Sequence, residues 1–236
     1  MRKLVDRLKG MASSEATPHV VGSKRKLRII SWNLLHRSGA LVSDISALIE
    51  QEKPDLFLMQ EVTEIIQPLS DLVGGRYYEQ SWPGRRHGLA AWSRSDLIHP
   101  KPLQLPESKL PGKFPTRFAQ LLEIGDLSIA NVHLSHGQLL NRRQLRLIAR
   151  STEGPTAIIG DYNLLGPAAL REFTDVGPRE TTHHAQEIMP FRLDRCMVRE
   201  LHCFASRTLL KGPSDHRPIL LEFDHPLDKS EAPVAD

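Results

Sequence analysis

The stretch LRIISWNLL (residues 27–35) decides the fold. It has the pattern of an apolar strand that ends in a polar residue, Asn33. Apolar residues at helical spacing follow between residues 41 and 49, and a second apolar run, LFLM (56–59), leads through a glutamine into Glu61. A strand, a helix and a second strand in this order predict two parallel strands joined by a crossover helix.

The same pattern returns in the second half of the chain. LSIANVHL (127–134) is a second apolar strand with polar residues near its end, and a helical segment and another apolar run follow before Asp161. The interval from Asn33 to Glu61 is 28 residues, and so is the interval from His133 to Asp161. We therefore expect two similar halves, with polar side chains gathered at the carboxyl ends of the strands, where open α/β sheets bind ligands.

Four further strands are predicted, at 88–93, 118–124, 196–200 and 218–223. Some of them follow one another without a helix between, which implies antiparallel pairing. The expected fold class is therefore α/β with mixed sheets.

Composition and length fit one globular domain with a tail at each end. The chain has 236 residues, 40% hydrophobic and 25% charged, which is ordinary globular usage. No apolar run approaches the roughly 18 residues of a membrane span. Two cysteines cannot form a disulfide framework, so we expect a reducing, cytoplasmic location. We predict a flexible basic leader at 1–25, a domain at 26–224, a polar tail at 225–236, and a monomer.

The positive charge of the chain is concentrated at its start. Residues 1–30 contain eight basic and two acidic side chains, whereas the other 206 residues contain 23 basic and 26 acidic ones. The leader has two interpretations: a solvated segment, or a weak docking element for nucleic acid or an anionic surface. The domain itself is too acidic to hold long duplexes through phosphate contacts alone.

Glu61 and Asn33 are the first candidate site residues. A carboxylate at the mouth of a buried strand either pairs with a basic side chain or holds a cation. Magnesium prefers oxygen ligands, and the amide of Asn33 can add an oxygen or orient a bound water. Both interpretations of Glu61 stay open at this point.

The tetrapeptide GDYN (160–163) is a sharper signal. Asp161 and Asn163 lie two residues apart and are expected to project together from an extended segment, with Gly160 permitting close backbone approach. An acid beside an amide suits the orientation or deprotonation of a water and a hydrogen bond to a phosphoryl oxygen. The alternative is a local turn in which Asp161 caps the backbone.

Four further residues complete the set. His216 and Asp215, in SDHRP (214–218), can carry a proton and bind a metal, or can simply lie on the surface. Asp194 can fix the tautomer of a histidine, or can pair with a neighbouring arginine. His133 shares strand parity with Asn131, so both can face one crevice, although a core histidine is the usual alternative.

Taken in order, these motifs resemble the endonuclease/exonuclease/phosphatase superfamily. The resemblance covers residues 27–223, and the motifs are SWN (31–33), QEV (60–62), GLAAWSR (88–94), NVHL (131–134), GDYN (160–163), LDR (193–195) and SDHRP (214–218). It implies a four-layer sandwich of two packed mixed sheets with helices outside and halves related by a pseudo-two-fold axis.

The resemblance also implies roles for the site residues. Glu61 would bind Mg²⁺ or Mn²⁺, with Asn33 beside it and Asp215 as an additional or water-mediated ligand. Asp161 would orient or deprotonate the attacking water, and Asn163 would hold the phosphate. His216, held by Asp194, would stabilise the charge that develops on phosphorus or transfer a proton, and His133 would contact the phosphate.

Two departures from the family's pattern disfavour repair of abasic sites. The abasic-site endonucleases carry an acid two residues after the first-motif asparagine, where this chain has Leu35. They also tend to have asparagine where this chain has His133. NVHL is more similar to the deoxyribonuclease, sphingomyelinase and phosphoinositide-phosphatase branches.

The sequence therefore predicts a divalent-metal-dependent phosphohydrolase, most similar to a phosphodiesterase or nuclease, that cleaves a P–O ester by in-line attack of water. Arg85, Arg86 and Arg117 are the candidate substrate-binding residues. Two alternatives remain: a phosphodiesterase or phosphatase that acts on phospholipid at an anionic surface, and a non-catalytic protein that binds phosphate ligands on the same fold.

Overall fold

The computed structural model describes residues 25–82, 84–96, 98–108, 116–185 and 189–225. These residues form two six-stranded mixed sheets, a two-stranded hairpin and three α-helices. The strands are β1 (Arg25–Asn33), β2 (Leu56–Val62), β3 (Arg76–Ser81), β4 (Gly88–Ser93), β5 (Ile98–Gln104), β6 (Phe118–Ile124), β7 (Leu127–His133), β8 (Thr156–Asp161), β9 (Thr174–Asp175), β10 (His183–Ala185), β11 (Met189–Phe191), β12 (Asp194–Arg199), β13 (Cys203–Thr208) and β14 (Ile219–His225). The helices are α1 (Val42–Glu52), α2 (Leu69–Val73) and α3 (Gln138–Arg150), and a 3₁₀ turn covers Glu64–Ile66.

The two sheets repeat one arrangement, which confirms the predicted halves. The first sheet has the order β13-β14-β1-β2-β4-β3, and the second has β5-β6-β7-β8-β12-β9. In each, a parallel pair connected by a helix (β1 and β2 through α1, β7 and β8 through α3) lies between antiparallel neighbours. The parallel register brings Asn33 opposite Gln60 in one sheet and His133 opposite Asp161 in the other.

Three apolar layers hold the sandwich together. Strand residues of one parity, including Ile29, Leu58 and Ile159, pack between the two sheets. Residues of the other parity face outward and are covered by helices: Ile45 of α1 packs in one outer cluster and Leu145 of α3 packs in the other. Because strand side chains alternate between faces, each central strand contributes to two layers. The order helix, sheet, sheet, helix is the predicted four-layer sandwich.

Polar residues interrupt the layer between the sheets near the site. Asn131 accepts a hydrogen bond from Gln60 at 2.8 Å and donates to Gln120 at 3.1 Å and to the carbonyl oxygen of Ala90 at 3.0 Å. These bonds join β2, β4, β6 and β7 across the two sheets. Asn131 therefore belongs to the interior, and the expectation that it faces the crevice beside His133 was wrong.

The ends of the domain lie close to the predicted boundaries. β1 begins at Arg25, the last residue of the predicted leader, and β14 ends at His225, the first residue of the predicted tail. The rest of the leader and of the tail lies outside the described residues, so their predicted flexibility stays a prediction. Among the described helices, none combines the length and the apolar character needed to cross a membrane.

Candidate active site

The candidate site lies where the carboxyl ends of the central strands of both sheets meet. Asn33 ends β1, Asp161 ends β8, and the side-chain amide of Asn33 donates a hydrogen bond to Oδ2 of Asp161 at 3.1 Å. Both side chains are almost fully buried. One bond therefore joins the two sheets at the point where their polar strand ends converge.

Asp161 is the centre of the second sheet's contribution. In register it lies between His133 of β7 and Asp194 of β12. Nε2 of His133 lies 3.4 Å from Oδ2 of Asp161, and Nε2 of His216 lies 3.8 Å from the same oxygen. Burial raises the pKa of Asp161 to about 6, although the charge of His216 acts in the opposite direction. A carboxylate in this position is a strong acceptor for a proton or a water.

The turn after β8 presents Asp161 and Asn163 together. The backbone N–H of Asn163 donates to Oδ1 of Asp161 at 2.9 Å, and its side-chain amide donates to Oδ2 at 3.3 Å and to the carbonyl oxygen of Leu134 at 3.0 Å. The capping turn and the shared projection, which were alternatives in the sequence, therefore both occur. Gly160 is required here because a Cβ at its φ of +140° would lie 2.1 Å from the carbonyl oxygen of Val132.

His216 is held by a buried carboxylate. Its Nδ1 lies 2.7 Å from Oδ2 of Asp194, which is fully buried at the start of β12. Burial alone would lower the pKa of His216, but Asp194 and Asp161 together raise it to about 10. The ring therefore carries a proton at neutral pH and directs Nε2 toward Asp161.

The loop that carries His216 is fixed to the first sheet. The hydroxyl of Ser214 donates to the carbonyl oxygen of Asn33 at 2.7 Å and accepts from the backbone N–H of His216 at 3.1 Å. The indole N–H of Trp32 donates to the carbonyl oxygen of His216 at 2.9 Å. These bonds place Asp215, which also lines the cleft, beside the end of β1.

Glu61 reaches the cleft through a β-bulge. Its φ is +56°, and the register between β2 and β4 shifts between Gln60 and Val62, so Glu61 is the extra residue. Oε2 of Glu61 accepts a hydrogen bond from the backbone N–H of His36 at 3.1 Å and contacts Nδ1 of the same residue. Burial would raise the pKa of Glu61, but the contacts with His36 hold it below its usual range.

The other oxygen of Glu61 has a different environment. Oε1 lies 3.9 Å from Nε2 of His133. Oδ1 of Asn33, at the neighbouring strand end, accepts a hydrogen bond from the backbone N–H of Leu35 at 3.2 Å, which leaves it one further lone pair. Oε1 of Glu61 and Oδ1 of Asn33 are therefore the oxygens that correspond to the predicted pair of metal ligands.

An aromatic wall borders Glu61. The ring of His87 stacks on His36 with centroids 4.1 Å apart and meets the edge of Trp82 at 5.3 Å. The guanidinium of Arg117 lies over the ring of Trp82, 4.5 Å from its centroid. Burial lowers the pKa of Arg117 to about 10, although the charges of Asp161 and Glu61 raise it. Its Nε and Nη1 are buried and have no hydrogen-bond partner among the described residues.

One cleft of about 340 Å³ collects the predicted residues. It is lined by seven of the eleven candidates: Asn33, Glu61, His133, Asp161, Asn163, Asp215 and His216. Asp194 lies directly behind His216. Arg117 lies close enough to Asp161 and Glu61 for their negative charges to raise its pKa. Arg85 and Arg86 are exposed on the loop before β4, outside the lining of the cleft.

Sequence reasoning missed His36, Trp82 and His183. Each approaches the site through a contact between segments far apart in the chain. His36 follows the first motif by three residues, and Trp82 precedes the candidate residue Arg85 by three, so both lie beside residues that were singled out. His183 lies in a segment without a recognised motif, and no local signal marks it.

A model of the "Endonuclease/Exonuclease/phosphatase family" matches residues 30–216. The chain belongs to this family. Members of the endonuclease/exonuclease/phosphatase family typically hydrolyse phosphoric esters and generally use divalent metal ions. No curated protein sequence matches the chain.

Solved structures of the family share the fold. An endonuclease/exonuclease/phosphatase from Bacteroides vulgatus superposes with a TM-score of 0.69 at 18% identity, over 86% of this chain and 100% of that one. A humanized D. rerio TDP2 gives 0.66 at 18% identity over 84% and 98%. D. rerio TDP2 complexed with single strand DNA product gives 0.65 at 17% identity over 84% and 98%.

Proposed function

We propose that this protein is a divalent-metal-dependent phosphodiesterase that cleaves P–O bonds of nucleic acid or nucleotide substrates by in-line attack of water. The observation that carries the proposal is the environment of Asp161. Its carboxylate lies within 4 Å of the side chains of Asn33, His133 and His216 in one cleft. A proton acceptor beside two imidazoles and an amide is suited to activating water and stabilising charge on phosphorus.

The charges of the cleft support the need for a cation. Glu61, Asp161 and Asp215 line it and Asp194 lies behind it. A phosphodiester brings a further negative charge, and among the described residues the cations at the site are Arg117 and His216. A divalent ion offsets this excess, and carboxylate and amide oxygens are the ligands that Mg²⁺ and Mn²⁺ accept.

Glu61, Asn33 and Asp215 are the residues proposed to hold the ion. Oε2 of Glu61 is already engaged by His36, so Oε1 is the oxygen offered to it. When bound, the ion neutralises charge on the phosphoryl group and holds it in place.

The protein's own groups supply the remaining chemistry. Asp161 accepts a proton from the attacking water or orients it, and Asn33 and Asn163 keep its carboxylate in position. His216 is protonated and points Nε2 toward the same carboxylate, so it stabilises the developing charge or gives a proton to the leaving oxygen. Burial lowers the pKa of His133 well below its usual range, so this ring contacts the phosphate as a neutral donor.

Arg117 supports a polyanionic or nucleotide substrate. Its guanidinium is buried against Trp82, and two of its nitrogens are without hydrogen-bond partners among the described residues. An unpaired buried cation is costly, and a phosphate oxygen would satisfy it. The stacked rings of His87 and His36 offer a flat surface on which a base can rest, and the buried Trp82 supports His87 from its edge. Arg85 and Arg86 are exposed outside the lining of the cleft, and we assign them to contacts with more distant phosphates.

A substrate panel at fixed salt tests the proposal. We expect hydrolysis of bis(4-nitrophenyl) phosphate and of single-stranded DNA or RNA with Mg²⁺ or Mn²⁺, and loss of both activities with chelator and in Glu61→Gln. Faster hydrolysis of sphingomyelin or phosphoinositide in vesicles would favour the lipid-directed alternative. Tight binding of an oligonucleotide without hydrolysis under any metal would indicate a non-catalytic binding protein.

A further inference from the structure

We propose that the cleft contains a second cation site, formed by His183, Asp215 and His216, that takes a first-row transition ion such as Mn²⁺, Co²⁺ or Zn²⁺. This inference rests on the proposed function, because it places a second ion beside the same phosphate. It adds a ligand, His183, that no sequence motif indicates, and it reassigns Asp215 from the ion at Glu61 and Asn33 to the new site.

Three ligand atoms converge there. One from each of the three residues lies within 4.8 Å of the other two. Nδ1 of His183 lies 3.8 Å from Oδ2 of Asp215, and the rings of His183 and His216 have centroids 4.4 Å apart. The separation of Nδ1 and Oδ2 is too long for a direct hydrogen bond, and ligand atoms within 4.8 Å of one another suit an ion held at about 2 Å from each.

The nitrogen of His183 lacks a partner. Its Nδ1 is buried and makes no hydrogen bond to any described residue. Its ring is also flanked by Phe191, at 6.4 Å between centroids, on one side and by His216 on another. A buried imidazole nitrogen without a partner is unfavourable unless a ligand satisfies it.

The backbone holds the three residues in register. His183 and His216 form an antiparallel bridge. The N–H of His184 donates to the carbonyl oxygen of Asp215 at 3.3 Å, and the N–H of Arg217 donates to the carbonyl oxygen of Thr182 at 2.7 Å. His183 therefore moves together with the loop that carries Asp215 and His216, which is the pre-organisation that a metal site requires.

His216 has the hydrogen bonding that is typical of a histidine that ligates a metal. Its Nδ1 is engaged by the buried carboxylate of Asp194, which leaves Nε2 as the nitrogen that faces the cleft. A carboxylate behind a ligating imidazole fixes the ring and increases its basicity. An ion bound there would replace the proton on Nε2 and take over the charge stabilisation proposed for the protonated ring. His216 would then give no proton to the leaving oxygen.

The donor set selects the kind of ion. Two imidazoles and one carboxylate with open positions suit Mn²⁺, Fe²⁺, Co²⁺ or Zn²⁺, whereas Mg²⁺ prefers oxygen alone. The ligands at Glu61 and Asn33 are oxygens. We infer that the two positions differ in ion preference and that an open coordination position of the second ion receives a phosphate oxygen.

The test is a titration of the full-length protein with Co²⁺, followed by calorimetry and by visible absorption. We expect two ions in the wild type, and one of them to have the absorption of nitrogen-ligated Co²⁺. His183→Asn should lose that ion and its absorption, Glu61→Gln should lose the other, and His184→Asn, changed at the next residue, should bind both. Thermal unfolding checks that each variant folds.

Each other outcome is decisive. A single ion that Glu61→Gln abolishes and His183→Asn retains would overturn the second site and leave the proposed function intact. A single ion that His183→Asn abolishes and Glu61→Gln retains would support the second site and contradict the assignment of Glu61 as a metal ligand.

A spectroscopic measurement on the wild type covers the case in which His183→Asn does not fold. Electron spin echo modulation of the Mn²⁺-loaded protein should show coupling to imidazole nitrogen, and this coupling should persist in His36→Asn. Loss of the coupling in His36→Asn, or its absence from the wild type, would overturn the second site.

Discussion

Asp161 and Asp194 lie directly opposite each other in the antiparallel pair β8 and β12, and His216 lies between their carboxylates. Nδ1 of the ring contacts Asp194 at 2.7 Å, and Nε2 approaches Asp161 at 3.8 Å. The two acids therefore have separate roles. Asp194 is buried and fixes the ring, whereas Asp161 lines the cleft, where substrate can reach it.

Asp194→Asn should lower kcat with little change in KM. An amide at this position removes the negative charge that keeps the ring protonated. By donating to Nδ1 it leaves a neutral ring with its one proton on Nε2, so the positive charge at the cleft is lost. We expect a loss of roughly 100-fold, within the usual range for acid–base groups. The measurement is steady-state hydrolysis of bis(4-nitrophenyl) phosphate, with Asp126→Asn, an exposed turn residue, as control. An unchanged kcat would show that the orientation of His216 does not matter to the chemistry.

His36→Ala should weaken the ion at Glu61. His36 contacts Oε2 through both its backbone N–H and its ring, so the ring fixes the direction of the carboxylate. Loss of such a supporting contact typically costs about 10- to 100-fold in metal affinity. We expect the Mg²⁺ concentration for half-maximal activity to rise by about that factor, and His36→Asn to recover part of the loss.

A matched histidine distinguishes this effect from a general one. His202 is exposed and pairs with Asp224 at the opposite end of the first sheet. His202→Ala should leave the Mg²⁺ dependence unchanged. An equal shift in both variants would contradict a role for His36 at the ion.

Arg117→Ala should reduce kcat/KM for nucleic acid by about 100-fold, because charged hydrogen bonds to phosphate contribute about 1.5–3 kcal/mol. Arg117→Lys should recover part of this loss, since it keeps the charge but not the planar stack on Trp82. The slope of the logarithm of the binding constant against the logarithm of the salt concentration should decrease in magnitude by about one. Arg143→Ala, on the exposed face of α3, serves as the control. A substrate affinity equal to that of wild type would exclude Arg117 from phosphate binding.

Asp175→Asn should destabilise the fold without changing the chemistry. Asp175 accepts two hydrogen bonds from Arg192, at 2.7 and 2.6 Å, next to the segment that leads to Asp194. Loss of a charged pair of this kind costs about 2 kcal/mol. The expected readout is a lower free energy of unfolding in urea at pH 7.

The pH dependence of this loss has a definite sign. Burial would raise the pKa of Asp175, but the hydrogen bonds from Arg192 hold it below its usual value. A lowered carboxyl pKa contributes stability above the unfolded pKa, near pH 4, and loses it as the pH falls through the folded pKa. The difference between wild type and Asp175→Asn should therefore be full at pH 6 and shrink below about pH 4. A difference that grows on acidification would contradict the pair.

Local patterns were sufficient to predict two strand–helix–strand halves and mixed sheets, whereas the four-layer packing was predicted from the resemblance to the family. The apolar strands and their polar ends have a period and a spacing that are visible in the sequence, and the equal intervals before Glu61 and Asp161 follow from two equivalent strand–helix–strand units. The parallel pairs place Asn33 beside Gln60 in one sheet and His133 beside Asp161 in the other, for the same reason. The contact between Asn33 and Asp161 joins the two sheets, and strand spacing alone does not predict it.

The rest of the site depends on contacts that sequence spacing does not contain. The bulge at Glu61, the stack of Arg117 on Trp82 and the bridge between His183 and His216 each join separate segments. Asn131 is the opposite case, because its spacing suggested a place in the site and its contacts bury it elsewhere. Its parity matched that of His133, but its position two residues further into the strand buries it between the sheets.

The most direct measurement is the rate at which Asp161→Asn hydrolyses bis(4-nitrophenyl) phosphate at saturating Mn²⁺, with bound Mn²⁺ and the unfolding temperature determined on the same sample. If Asp161 activates the attacking water, the rate should fall by at least about 100-fold while folding is preserved. A rate within twofold of the wild type, in a folded and metal-loaded variant, would contradict phosphodiester hydrolysis at this cleft.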